Sequence, residues 1–281
     1  MQQQFARIAA KLGAEINHVA NLSGGSISAA YALHFNDRPP VFAKHNSTVP
    51  ADFFSAEATG LQTLARHGPL RVPEVLHYSS EFIVLEFIES APANTKYWHT
   101  LGEGLAELHK KPMPCFGFEH DNYCGSTAQP NPKTSCGYAF FGEQRLLFQA
   151  QLAYNKRRLT KNDLRALETL LSRLPELIPA QPPCLIHGDL WSGNVISDED
   201  GDPVLIDPAA HWGWAEADIA MTLLFGGFAP QFYRAYEDSR PLAAGWRARV
   251  PLYNLYHLLN HLNLFGAAYY HDVSDIIHQY Q

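Results

Sequence analysis

The segment that decides the fold is residues 182–196, PPCLIHGDLWSGNVI. Two apolar runs, CLI and VI, enclose a gap that carries Asp189, Trp191 and Asn194. A further apolar run, VLI, leads to Asp207, thirteen residues after Asn194. Short apolar runs separated by turn-rich segments predict strands joined by a loop and a hairpin. We therefore expect the side-chain oxygens of the two aspartates and the asparagine to converge on one spot.

Three converging oxygen groups indicate a hard-cation site, because Mg²⁺ binds carboxylate and amide oxygens together with nucleotide phosphates. Asn194 and Asp207 are then candidate metal ligands, and Asp189 is a candidate base for an attacking hydroxyl. His187, Asp189 and Asn194 have the spacing of the H-R-D-L-x-x-x-N loop of protein kinases, with Gly188 in place of arginine. A turn residue and a helix cap would explain each residue alone, but not their combination.

Residues before this loop supply groups that a nucleotide site needs. Lys44 ends the apolar segment PPVFAKHN, and Glu57 follows thirteen residues later on a predicted helix. In phosphotransferases, a strand lysine binds the nucleotide phosphates and a helix glutamate orients it. We predict that Lys44 and Glu57 form such a pair, although a lone surface lysine or glutamate is more often a solvated charge.

Two further segments are weaker candidates for nucleotide contacts. The turn LSGGSIS lacks G-x-G-x-x-G, and a plain hairpin explains its glycines equally well. If this turn covers phosphates, backbone amides would donate to them. Those amides belong to Gly24, Gly25 and Ser26. The segment LEFIES ends a predicted strand, and its backbone offers the donor and acceptor that adenine needs. That backbone belongs to Glu86, Phe87 and Ile88.

The order of the predicted elements indicates an α+β fold with two lobes. The N-terminal segment is amphipathic, and period-two runs and one helix follow as far as residue 88. The run FIVLEFI is almost wholly apolar, which predicts a central strand. The remainder is mainly helical, apart from a loop-like stretch at 112–137 and the strands around the opening motif. We predict a small lobe over 1–88 and a larger helical lobe over 89–281.

Composition excludes several classes of protein. The chain has 281 residues and a formal net charge of −7, and no Lys/Arg cluster is long enough to track a nucleic-acid backbone. No run of apolar residues is long enough to cross a bilayer, and the N-terminus lacks the features of a signal peptide. The four cysteines contain no C-x-x-C spacing. We therefore expect reduced thiols, a cytoplasmic location, and neither nucleic-acid nor membrane partners.

Segments spread along the chain resemble the fructosamine kinase (ketosamine-3-kinase) family, which lies within the aminoglycoside-phosphotransferase-like branch of the protein-kinase fold. They are FSAEATGL (54–61), GSTAQPNP (125–132), LIHGDLWSGN (185–194), ADIAMTLLFGGF (217–228) and LYNLYHLLNHLNLFG (252–266). The resemblance implies a small antiparallel sheet with a helix, a larger mainly helical lobe, ATP and Mg²⁺ as cofactors, and a monomer. It also implies phosphorylation of the sugar 3-hydroxyl of ketosamines, which are free or protein-bound glycation adducts.

The resemblance also assigns roles to individual residues. Asp189 resembles the base, Asn194 and Asp207 the magnesium ligands, and Lys44 with Glu57 the phosphate-positioning pair. His187 and Asp218 resemble the residues that support the catalytic loop. Trp191 and Trp214 are candidate substrate contacts, since a flat aromatic face packs well on a sugar, although each also fits an apolar packing role.

Departures from the family pattern concern the acceptor side. Lys133 and Gly137 stand where tryptophans are usual, and Ala215 stands where arginine is usual. Two alternatives therefore stay open: a kinase of aminoglycosides, choline or another small molecule, and a catalytically silent nucleotide-binding protein. His257 and His261 are spaced i, i+4, but without the glutamate of H-E-x-x-H we favour helix packing over a zinc site.

Overall fold

The computed structural model describes residues 2–22 and 27–280. The predicted phosphate-covering amides of Gly24, Gly25 and Ser26 lie outside the described residues. No helix in the described part of the chain is long and apolar enough to cross a membrane.

A five-stranded antiparallel sheet occupies the N-terminal region. Its strands are β1 (Ile16–Leu22), β2 (Ala29–Phe35), β3 (Val41–His45), β4 (Val75–Tyr78) and β5 (Phe82–Glu86). They lie in the order β1-β2-β3-β5-β4, so β5 has a neighbour on both sides and its apolar run is buried, as predicted. Strand β1 was not predicted, because it is an edge strand whose burial does not alternate regularly.

Two helices cover the opposite faces of this sheet, because successive strand residues point to opposite faces. Helix α1 (Gln2–Leu12) packs Ile8 against the face that carries Val84. Helix α2 (Phe53–His67) packs Phe54 against the other face. The amphipathic N-terminal helix is therefore confirmed.

The last turn of α2 differs from the prediction. The apolar pattern predicts that Leu64 and Ala65 share the buried face of this helix; Leu64 is buried, as predicted, but Ala65 is exposed and Thr63 is buried. Leu64 belongs to the hydrophobic cluster of the following helix rather than to the sheet cluster. In its last turn α2 packs against the helical cluster rather than against the sheet, so the buried side chains there are Thr63 and Leu64 and not Ala65.

The rest of the chain is mainly helical. Its α-helices are α3 (Tyr97–His109), α4 (Gly137–Ala139), α5 (Phe148–Asn155), α6 (Lys161–Leu177), α7 (Ala215–Met221), α8 (Pro230–Ser239), α9 (Trp246–Phe265) and α10 (Tyr270–Gln279). A π-helical segment, Phe140–Leu147, links α4 to α5. Helix α9 is largely buried and packs against α5, α7 and α10. The sheet ends at Glu86, and we keep a lobe boundary near residue 88 as a proposal.

Three short antiparallel pairs hold the loops between these helices. They are β8 (Cys184–Ile186) with β11 (His211–Gly213), β9 (Val195–Ser197) with β10 (Pro203–Leu205), and β6 (Asn122–Cys124) with β7 (Thr127–Gln129). Strands β8 and β10 confirm the prediction around the opening motif. The prediction of a loop over 112–137 was wrong at β6 and β7, two strands of three residues each, where a buried hydrogen bond from Gln129 Nε2 to Asn122 Oδ1 supports the pair.

Candidate active site

The candidate catalytic loop begins where β8 ends, and its backbone conformation requires glycine at 188. Gly188 has φ +81°, and a Cβ atom there would lie 2.2 Å from the carbonyl oxygen of Ala209. A side chain at this position would be strained and would collide with backbone. This contact explains why glycine replaces the arginine of the protein-kinase loop.

Asp218, at the start of α7, fixes this loop from beneath. Its Oδ2 accepts the backbone N–H of His187 at 2.6 Å, and its Oδ1 accepts that of Gly188 at 2.8 Å. His109 Nε2 lies 3.3 Å from Oδ2. Burial would raise the pKa of Asp218, but the hydrogen bond and charge interaction with His109 and the backbone N–H of Gly188 hold it below its ordinary value. Sequence reasoning missed His109, which lies 109 residues from Asp218 along the chain.

His187 is buried and joins the loop to the segment that carries Asp207. Its Nε2 donates to the carbonyl oxygen of Ile206 at 3.0 Å, and its Nδ1 accepts the backbone N–H of Asp189 at 3.3 Å. Burial lowers the pKa of His187 below its ordinary value, so the ring is neutral and can use one nitrogen in each role.

Asn194 lies next to both aspartates, whereas the predicted convergence of the three side-chain oxygens on one metal stays a prediction. Asn194 Nδ2 donates to the carbonyl oxygen of Asp189 at 2.8 Å and to its Oδ2 at 3.2 Å. The same nitrogen lies 3.5 Å from the backbone carbonyl of Asp207. Asp207 has φ +54°, an uncommon conformation for a residue other than glycine. Backbone strain of this kind is concentrated at functional sites.

Burial raises the pKa of Asp189 to about 7, and the nearby charges of Asp207 and Asp218 add to this effect. The hydrogen bond from Asn194 acts in the opposite direction. A carboxyl group with a pKa near the working pH is suited to general-base catalysis.

Lys44 connects the sheet to this site. Its Nζ lies 2.7 Å from Glu57 Oε1 and 2.5 Å from Asp207 Oδ1. Burial would lower the pKa of Lys44, but the two carboxylates outweigh burial and raise it above the ordinary value. Lys44 is therefore a fixed cation at the junction between β3, α2 and the end of β10.

The side chains present fit a hard divalent cation. Asn194 directs its amide nitrogen to Asp189, which leaves its Oδ1 for a metal. Asp207 is 44% exposed and bonds to Lys44 through Oδ1, which leaves Oδ2. Two oxygen ligands completed by water and phosphate oxygens are typical of Mg²⁺.

The two tryptophans lie in different environments. Trp191 is 37% exposed and meets Phe225 edge to face at a centroid distance of 6.0 Å. Trp214 is 4% exposed and donates from Nε1 to the carbonyl oxygen of Gln181 at 3.3 Å. Aromatic side chains surround Trp214, so it lies in the core rather than at a surface that a sugar can reach. Trp191 is available for the predicted substrate contact, and Trp214 is not.

The predicted adenine-binding backbone is available only in part. The N–H of Glu86 donates to the carbonyl oxygen of Glu74 at 2.9 Å within the sheet. The carboxylate of Glu86 bonds to Arg71 at 2.7 Å. The donor for adenine therefore has to come from Phe87 or Ile88, which follow the strand.

The whole chain, residues 1–281, matches the model of the fructosamine kinase family. The chain belongs to the fructosamine kinase family. A probable ketoamine kinase of Synechocystis sp. is 39% identical over 266 residues, which are 92% of this chain and 88% of that protein. The chloroplastic protein-ribulosamine 3-kinase of Arabidopsis thaliana is 36% identical over 276 residues, which are 95% of this chain and 83% of that protein.

A solved structure shows the same fold. A protein from Thermobifida fusca, assigned as a fructosamine-3-kinase, superimposes with a TM-score of 0.89 at 37% identity. The superposition covers 97% of this chain and 96% of that chain. The bilobal kinase fold expected from the sequence is therefore confirmed for this member of the fructosamine kinase family.

Proposed function

We propose that this family member transfers the γ-phosphoryl group of ATP to the 3-hydroxyl of a ketosamine. The observation that carries the proposal is the loop fixed by Asp218, which sets the Asp189 carboxylate beside Asn194 and Asp207. The relatives named as ketoamine and ribulosamine 3-kinases support the acceptor. Family membership also favours this acceptor over the aminoglycoside and choline alternatives.

Asp189 acts as the base in the proposed reaction. Its carboxylate accepts the proton of the sugar hydroxyl, and that oxygen forms a bond to the γ-phosphorus. The bond from the γ-phosphorus to the bridging oxygen breaks, and the electron pair leaves with ADP. The residues contribute mainly by positioning and charge stabilisation, because phosphoryl transfer requires little other chemistry from a protein.

Lys44 neutralises charge on the nucleotide phosphates, and Glu57 holds its Nζ in place. Asn194 and Asp207 are the residues that would hold Mg²⁺, which when bound neutralises charge on the transferred group. Trp191, at the exposed edge of the loop, is the proposed platform for the sugar.

The expected biological role is repair of glycated amines or proteins. A cytoplasmic location and a monomeric state remain predictions. All four cysteines are free in the structure, and the reduced state of the thiols stays a prediction.

Acceptor profiling tests the proposed function. Magnesium-dependent ADP release would be measured with fructosamine, ribulosamine, an aminoglycoside panel, choline and free sugars. Turnover is expected with ketosamines only. Asp189→Asn should abolish turnover, while the exposed Asp238→Asn serves as the matched control and should retain it. Turnover of another acceptor without ketosamine turnover would contradict the proposal, and so would full activity of Asp189→Asn.

A further inference from the structure

His257, on α9, places the buried ring nitrogen Nδ1 near the proposed base. His257 is 5% exposed, and its Nδ1 is a buried atom that forms no hydrogen bond within residues 2–22 and 27–280. The nearest carboxylate oxygen is Oδ1 of Asp189, at 3.8 Å. This separation is about 1 Å longer than an N–H···O hydrogen bond.

Asp189 is a partly buried carboxylate, with a side chain that is 21% exposed, and it receives few hydrogen bonds from the described residues. Its Oδ2 accepts one long hydrogen bond, from Asn194 at 3.2 Å. Its Oδ1 accepts none in the described part of the chain. Removing a carboxylate from water is unfavourable unless donors replace the water, and nearly all buried polar groups therefore have partners.

The backbone of α9 is held in place on both sides of His257. One turn before it, Asn254 Nδ2 donates to the carbonyl oxygen of Ala220 at 2.8 Å. One turn after it, Asn260 Nδ2 donates to the carbonyl oxygen of Cys124 at 3.1 Å. These bonds anchor the helix to α7 and to the β6–β7 hairpin. Closing the gap between His257 Nδ1 and Asp189 Oδ1 takes about 1 Å of relative movement of the two side chains.

The protonation states favour a hydrogen bond from the ring to the acid. Burial lowers the pKa of His257 to about 3, so the imidazole is neutral and carries a single N–H. A carboxylate opposite Nδ1 favours the tautomer with the hydrogen on Nδ1. Cys124 Sγ lies within 4.8 Å of both groups, but a buried thiol is a weak donor and cannot replace the imidazole.

We propose that His257 is a positioning residue, whose Nδ1–H donates to Asp189 Oδ1 in the substrate-bound site and fixes the orientation of the base. The inference rests on the proposed function of Asp189. Since His257 acts through Asp189, its loss should lower kcat and leave the KM values for nucleotide and ketosamine nearly unchanged. A base displaced by about 1 Å reduces the rate by up to about 100-fold.

Three substitutions of His257 separate this role from simple packing. Asparagine places an N–H₂ group near the position of Nδ1, glutamine places it near Nε2, and leucine fills the space without a donor. His257→Asn should keep kcat within about 3-fold of wild type. His257→Gln and His257→Leu should lose about 10- to 100-fold, with both KM values within about 3-fold. A packing role predicts the reverse order, since leucine suits a buried site better than asparagine does.

Asn263→Leu is the matched control, because it removes another buried polar group of α9 that bonds to Gln149 rather than to the site. It should lower the melting temperature without a loss of kcat. If the wild type turns over ketosamines, either of two results would overturn the inference. One is a wild-type kcat in His257→Leu, and the other is a loss of kcat in His257→Asn equal to that in His257→Leu. Absence of wild-type turnover would overturn the proposed function and the inference together, so the two failures are distinct.

Discussion

At the scale of single residues, the proposed phosphoryl transfer depends on Asp189. Its carboxylate is largely desolvated and lies near the charges of Asp207 and Asp218, and only Asn194 donates a hydrogen bond to it in the described residues. Both circumstances favour the protonated form, so the pKa of Asp189 is raised to about 7. A base must be deprotonated to act, so activity should fall as the pH drops below the pKa of Asp189.

We predict that kcat/KM for the ketosamine falls below pH 7, by about tenfold per pH unit once Asp189 is protonated. Above that pH the carboxylate is ionised and the value should level off. Lys44 does not add an alkaline limb in this range, because its pKa is raised. A pH–rate profile at saturating nucleotide tests this expectation. A constant kcat/KM between about pH 5.5 and 8 would contradict it.

A second residue-scale prediction concerns Glu57. Glu57→Gln keeps the shape of the side chain but removes the charge that draws Lys44 Nζ to α2, 2.7 Å away. Lys44 should then shift towards Asp207, and the KM for nucleotide should rise about 10-fold, as expected when a charge-assisted bond is lost.

The control for this change is Glu81→Gln, which alters a more exposed carboxylate that pairs with Arg7 on the surface. It should leave both KM values unchanged. An unaltered nucleotide KM in Glu57→Gln would show that Lys44 does not need its helix partner.

At the scale of elements, the ring of Trp214, which directly precedes α7, occupies the space next to Gly137 in the segment 131–141. Gly137 stands where the family usually has tryptophan. A Cβ atom at this position would lie 2.5 Å from Cζ of Phe116 and 2.6 Å from Cζ2 of Trp214. The ring of Trp214 therefore fills the space next to Gly137, which accounts for both its burial and the glycine. Lys133, the other departure, is exposed; it pairs with Glu119 at 2.8 Å and lies 5.2 Å from the ring centroid of Trp212.

We predict that Gly137→Ala lowers the free energy of unfolding by about 1–3 kcal/mol, the usual cost of overpacking. Combining it with Trp214→Phe should cost less than the sum of the two single changes, because the smaller ring vacates part of the space. Gly142→Ala is the control, since its Cβ would meet only leucine methyl groups at 3.2 Å and beyond. Urea unfolding of the four variants measures these values, and strict additivity would contradict the shared space.

The elements also show what the sequence could predict. Strong local signals, such as the apolar run of β5 and the amphipathic pattern of α1, gave the correct type of element. The spacing from Asp189 to Asn194 and Asp207 predicted that the three residues are neighbours, because one loop and one hairpin connect them. The burial of Trp214 and the contacts of His109 and His257 depend on residues distant in sequence, which no local pattern reports. His257 was visible in HLLNH, but its position opposite Asp189 required the packing of α9.

At the scale of the whole molecule, Arg71 links the sheet to the helical part. Its guanidinium bonds to Glu86 at 2.7 Å, to Asp198 at 2.8 Å and to Glu199 at 3.1 Å. Its carbonyl oxygen accepts the N–H of Leu205 at 2.9 Å. Strand β5, which leads to the predicted adenine-binding backbone, is thereby tied to the β9–β10 hairpin that precedes Asp207.

We predict that Arg71→Lys lowers the free energy of unfolding by about 1 kcal/mol, because lysine cannot hold several carboxylates with one rigid fork. The difference should shrink in high salt, since the guanidinium is partly exposed. Hydrogen exchange should accelerate in both β5 and the β9–β10 hairpin. Arg66→Lys, on the exposed side of α2, is the control and should change neither. Faster exchange in only one of the two elements would contradict the link.

Identifying which sugar oxygen carries the phosphate tests the proposed transfer to the 3-hydroxyl of a ketosamine most directly. Wild-type protein, ATP and Mg²⁺ would be incubated with a synthetic ketosamine, and the product examined by phosphorus and carbon NMR, with Asp189→Asn as the blank. We expect one phosphate ester, on the 3-oxygen of the ketosamine, formed by the wild type and absent from the blank. An ester at another oxygen, or no ester while another acceptor is phosphorylated, would contradict it.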